Sequence, residues 1–152
     1  MRSMKLTAMA CCLAIAGTLC VNAEEMKDAR TLVKLPSDIK EKMVVIMRDH
    51  IRALDDIIDA VQTGEYDKAE SIAESRLGWG SPLRITDQEV IKHWPEPMQK
   101  MADQLYHAAS NYVVVSRNAA VEENKGSYQK VNAALGEVSS ACRACHETYR
   151  LR

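Results

Sequence analysis

Hydrophobic residues recur along most of the chain at the spacings of three and four that an amphipathic helix of 3.6 residues per turn requires. Between Pro36 and Gln62, Met43, Met47, His50, Leu54, Ile57, Ile58 and Val61 fall on one face, and Arg48, Asp49, Arg52, Asp55, Asp56 and Asp59 on the other. Ser37 is the expected N-cap of this first helix, Asp38 puts a negative charge in its first turn, and Gly64 is the expected stop. A second helix is predicted from about Tyr66 to Leu77, with Ala69, Ile72, Ala73 and Leu77 as its buried stripe and Gly78 ending it. The stretch between Gly78 and Pro97 holds Gly, Pro and both Trp residues, and reads as a long connection with one short helical turn around Asp87 to Lys92.

A third helix is predicted to open near Pro95 to Pro97, where proline is tolerated in a first turn. Its expected core face is Met98, Met101, Ala102, Leu105, Ala109, Tyr112, Val113, Ser116, Ala119 and Ala120, and Gly126 is expected to break it. In the last helix, from about Ser127 to Tyr149, Val131, Leu135, Val138, Cys142, Cys145 and Tyr149 alternate in steps of four and three, which makes a packing seam. Four such helices, joined by two short turns and one longer connection, predict an all-α fold, an antiparallel four-helix bundle.

Composition agrees with helices. Aromatic residues are 5% of the chain, with no Phe, while Met numbers 8, so the core has to rest on aliphatic side chains and Met. Strands usually draw on aromatic and β-branched residues. With 152 residues, 47% hydrophobic and 27% charged, the chain allows about one domain.

The first 23 residues read differently from the rest. Arg2 and Lys5 precede an apolar run from about Leu6 to Val21, and Val21-Asn22-Ala23 supplies small residues at a cleavage-type position, the pattern of a secretory signal peptide. The run falls short of the ~20 residues a membrane span needs. Leu19 stands before Cys20 where a lipoprotein signal wants a small residue. Residues 24–34 are polar and read as a flexible lead-in, leaving 35–152 as the folded domain. Loss of the leader removes three of the five cysteines and two basic residues, so 20 basic against 21 acidic residues becomes a net charge near minus 3. Such a surface argues against nucleic acid or anionic membrane as partner.

The two remaining cysteines form Cys142-Arg143-Ala144-Cys145-His146, a C-x-x-C-H, the pattern in which two thiols add to the vinyl groups of haem and the adjacent imidazole binds the iron. On a helix the positions i, i+3 and i+4 share a face, so both sulfurs and the imidazole approach one macrocycle together. A thiol redox site is the first competitor. It usually draws on a helix N-terminus to lower the thiol pKa, whereas this pair lies near a helix C-terminus. Zinc is the second, but two Cys and one adjacent His leave a tetrahedral site a ligand short.

From Cys142 through His146 and on to Glu147-Thr148-Tyr149-Arg150, the chain resembles the ending of the class II c-type cytochromes, typified by cytochrome c-prime and its low-spin relatives. The likeness is weaker in the first helix and at the Gly64 to Asp67 turn. It implies a periplasmic protein with one covalent haem c on the C-terminal helix of a four-helix bundle, ligated by His146, that transfers electrons to redox partner proteins or binds small diatomic gases. It also implies that Arg150, a turn beyond His146, contacts the proximal face of the haem; the competing reading is a solvated terminal Arg.

In that family a first-helix residue faces the distal side of the iron, and a Met there makes the iron six-coordinate while an aliphatic residue leaves it open. Counting from Pro36 lands on Met47, with Met43 one turn away as the alternative. Aligning through Met47 and His50 puts Val44 there instead. His50 is expected to be a hydrogen-bonded core residue, though it also stands within the candidate ligand face. Lys40 or Lys42 is a candidate partner for a haem propionate, and Trp79 and Trp94 for covering a haem edge or anchoring the long connection. No acid, base or nucleophile constellation accompanies the motif, so no enzyme is expected. The wide apolar arc of the first helix, with Val44 and Ile51 at its margin, permits a homodimer.

Overall fold

The computed structural model describes residues 28–85 and 88–152. The expected leader and the start of the lead-in lie outside the described residues. The described chain is mostly helical. Helix α1 spans Ser37–Gln62, α2 Tyr66–Ile72, α3 Gln88–Ile91, α4 Glu96–Glu122 and α5 Lys125–Thr148, with one short strand before them, β1 Thr31–Val33, and one after, β2 Tyr149–Leu151. None of the described helices is long and apolar enough to cross a membrane.

Pro36 occupies the N-cap of α1 and Ser37 is its first helical residue, with no side-chain cap bond. The expected Ser37 cap is therefore displaced by one position, while Asp38 stands in the first turn as read. Gly64 takes a φ of 76°, the left-handed conformation that a glycine adopts without cost, and turns the chain into α2. The second helix does not run straight to Leu77. It passes at Ala73 into a π-helical turn, Ala73–Leu77, and stops at Gly78, where a Cβ would meet the Cα of Glu74 at 2.8 Å.

Gly126 does not break the chain between α4 and α5. The break is Glu123, left-handed at φ 45°, followed by Asn124 as N-cap of α5. Asn124 Oδ1 accepts the Ser127 N–H at 3.0 Å and Ser127 Oγ accepts the Asn124 N–H at 3.1 Å, a reciprocal box that satisfies two donors a helix start would otherwise leave open. Only two residues separate the helices, so α4 and α5 pack along each other as a helical hairpin. α2 and its π-helical turn pack against both α1 and α4.

The core divides in two. One cluster joins Ala53, Ile57 and Ala60 of α1 to Ala69, Ala73 and Leu77, to Leu105, Ala109, Tyr112 and Val113 of α4, and to Val131, Ala134 and Val138 of α5. Many of these are alanines with no exposed surface, which lets helix backbones approach closely. The other cluster gathers Val33, Ile39, Met43, Val90, Trp94 and Met98 at the opposite end of α1.

The lead-in is not loose where it is described. Thr31, Leu32 and Val33 pair in parallel with Tyr149, Arg150 and Leu151, and Val33 is buried in the second cluster. Strand β2 also ends α5 at Thr148, one residue earlier than the periodicity predicted.

Candidate functional site

The C-x-x-C-H motif occupies the last two turns of α5, with its two cysteines on the inner side and Arg143, Ala144 and His146 exposed. Cys142 packs against the first core cluster and Cys145 against the second, so the two cysteines straddle the seam between them. Both thiols are free and half-buried. Burial pushes both thiol pKa values up, which is the reverse of what a reactive thiolate needs. His146 is exposed beside them. The outer face is polar, with Arg143 and Glu147 paired at 3.3 Å one turn apart.

Across the seam, α1 presents Met43, Met47, His50 and Ala53 in succession. Met43 is 2% exposed in the second cluster. Met47 is half-buried and packs against that same cluster, as does Cys145. Ala53 belongs to the first cluster with Cys142. His50 therefore stands level with the boundary, 5% exposed, and its Nε2 has no hydrogen-bond partner among the described residues. Burial holds its pKa below the ordinary histidine value; Asp49 works against that shift, and the charges of Arg76 and His146 add to it. The expectation of a hydrogen-bonded core histidine is met in burial and not in bonding.

The flank of α1 is tied down by a residue the sequence did not single out. Arg76, in the π-helical turn, donates to Asp49 Oδ1 at 2.6 Å, Asp49 Oδ2 at 3.0 Å, the Asp49 carbonyl at 3.0 Å and Asp56 Oδ2 at 2.6 Å. These bonds hold the Asp49 carboxyl below its usual range. A π-helical turn inserts one residue per turn and so changes which side chain faces a neighbour. An α-helical periodicity cannot foresee that.

Two cavities flank α1. One of about 600 Å³ is lined by Leu35, Lys40, Val44, Arg48 and Arg152 among others. A smaller one of about 310 Å³ is lined by Lys42, Met43, Ile46, Arg84 and Val90 among others. Neither has Cys142, Cys145 or His146 in its wall. Val44 and Met47 thus differ in surroundings: Val44 lines the open groove and Met47 packs against the cluster that also receives Cys145.

Arg150 does not continue the helix past His146. It lies in β2, where its Nε is 3.3 Å from Asp28 Oδ2 as an ion pair. Trp94 is buried in the second cluster beside Met43 and Met98. Trp79 is exposed, stacked on His107 with centroids 4.3 Å apart and with the Arg84 guanidinium over its ring, so the two Trp residues anchor opposite ends of the connection.

The residue types that covalent haem requires are present: two unpaired thiols three residues apart, an adjacent imidazole, and on α1 a thioether in the cluster that receives Cys145 and an unpartnered imidazole. Among the described residues no group of three or more His, Cys, Asp or Glu is arranged to hold a bare metal ion. No protein family, curated protein or solved structure matches the chain.

Proposed function

We propose that the chain is an exported, periplasmic monohaem c-type cytochrome that carries electrons, built as an antiparallel four-helix bundle with one haem c held on α5. The observation that carries this reading is the placement of the motif. Cys142 and Cys145 are free, half-buried, and packed one against each side of a hydrophobic seam, with His146 next to them and Met47 in the cluster that receives Cys145. Bound haem supplies one-electron chemistry at its iron.

The chain's own residues do the rest. Cys142 and Cys145 hold the group by thioether bonds, and the His146 imidazole serves as proximal ligand. Met47 serves as distal ligand, ahead of Met43, whose side chain is spent on the packing around Trp94. A Met/His pair raises the reduction potential, and the apolar cluster around Met47 limits solvent access, which tunes it further. With haem held by these residues, the chain would exchange electrons with redox partner proteins. Export rests on the leader at residues 1–23, with Arg2 and Lys5 ahead of its apolar run.

A second reading, a five-coordinate cytochrome that binds NO or CO, follows from the register that puts Val44, and not Met47, opposite His146. Production in a periplasm equipped for haem attachment, followed by spectra with and without carbon monoxide, separates the two. The electron carrier shows covalent haem, a low-spin spectrum, and a sulfur-to-iron charge-transfer band that disappears in Met47→Ala. A high-spin spectrum with ready carbon monoxide binding, converted to low spin by Val44→Met, establishes the second reading instead. A product without covalent haem ends both.

A further inference from the structure

Helix α5 stops at Thr148, two residues past His146. The last carbonyls of a helix have no intrahelical donors, and such turns fray unless something else holds them. An imidazole that must keep one direction is poorly placed there.

In this chain the carbonyls around the motif are taken. The Tyr149 N–H donates to Cys145 O. The Thr148 hydroxyl donates to Ala144 O at 2.8 Å. Arg30 Nη1, from 116 positions earlier in the chain, donates to His146 O at 3.4 Å. That carbonyl would have accepted the amide of residue 150 had the helix continued, but Arg150 is extended and paired with β1.

Arg30 is itself held. The Asp28 carboxylate accepts from Arg30 Nε at 2.9 Å, from Nη2 at 2.8 Å and from the Arg30 backbone N–H at 3.1 Å, and the same carboxylate pairs with Arg150. Beyond them Thr31, Leu32 and Val33 lie against Tyr149, Arg150 and Leu151, and the Arg152 N–H donates to Val33 O at 3.1 Å. Val33, 3% exposed, packs in the cluster that also receives Cys145 and Tyr149.

We propose that Arg30, oriented by Asp28, is a positioning residue for His146, and that β1 acts as a clasp which ends α5 directly after the attachment motif and holds its last turn. The proposal rests on the reading of Cys142, Cys145 and His146 as the haem attachment. A guanidinium at a helix C-terminus also meets the negative end of the dipole, so the contact is favourable in charge as well as in bonding. By joining Arg30 to Arg150, Asp28 keeps two cations side by side that would otherwise repel.

The test uses the full-length exported holoprotein, unaltered and as Arg30→Gln, Arg30→Lys and Asp28→Asn. Amide exchange at Arg152, whose N–H is bonded to Val33 O, reports the clasp, and exchange at Tyr149 reports the last turn of α5. The midpoint potential and the paramagnetically shifted ring protons of His146 report the ligand. Arg30→Gln and Asp28→Asn are expected to speed exchange roughly tenfold, the scale of one lost charge-assisted hydrogen bond, and to move both ligand signals. Arg30→Lys, which keeps the charge, recovers part of each change. Faster exchange with unmoved ligand signals reduces the clasp to a structural role and overturns the positioning claim, as does unchanged exchange. An unaltered chain that emerges without covalent haem is distinguishable from both, because it fails at the parent protein and takes the function reading with it.

Discussion

Arg76 and Asp49 carry the strongest polar contact between α1 and the π-helical turn. Hydrogen bonds from Arg76 favour the ionised Asp49, so its folded-state pKa lies below its unfolded value, which is about 3.9 for aspartate. A carboxylate shifted this way stabilises the fold fully above the unfolded pKa and loses that contribution as pH falls through the folded one. Asp49→Asn is therefore expected to cost about 2 kcal/mol near pH 7, the scale of hydrogen bonds to a charged group. The gap between variant and parent should close below about pH 4, which urea titrations at a series of pH values measure. A gap independent of pH would mean that side-chain packing, and not the charge, is what Asp49 supplies.

Among the helices, the α4 to α5 junction shows how local chemistry sets a boundary. Asn124 and Ser127 satisfy each other's backbone donors, and the chain tolerates a left-handed Glu123 to bring them into place. Asn124→Ala removes the cap and is expected to lower stability by about 1 kcal/mol without changing the α5 register. Thermal unfolding followed by circular dichroism reads that loss. Gly126, the residue that looks like a breaker, sits inside the first turn of α5 with its φ in the ordinary range, where an added Cβ would meet the capping Oδ1 of Asn124 at 3.1 Å.

Across the fold, the two core clusters meet where the cysteines stand, so a haem bonded to both would join them. Replacing both thiols, Cys142→Ala with Cys145→Ala, is expected to abolish covalent attachment, leave the helical signal largely intact and lower the urea midpoint, since a group bound only by the native state stabilises it. An unchanged midpoint in the attachment-free protein, with haem present in the parent, would mean that the clusters are sufficient without it. The parallel strands add a second closure by linking the segment just ahead of α1 to the chain end, and they bury Val33 in the cluster that holds Met47.

Most of the helical order was legible in the chain. Helical periodicity is a local property, so the stripes of Met43, His50 and Ile57, of Ala69 and Leu77, and of Val131 and Val138 point inward as their spacing says. The C-x-x-C-H was equally plain as a local pattern, and helical spacing alone brings its two cysteines to the inner side of α5. The clasp was not legible. Asp28, Arg30 and Thr31 to Val33 form too short a run to register as a strand, and their partners lie more than a hundred positions away. Nor was the contrast between Met47 and Val44, neighbours on one turn of α1, since a helical pattern places both near the same face. Packing separates them, setting Met47 against the cluster of Cys145 and Val44 in the wall of a groove, because how two helices approach depends on side chains from every element between them.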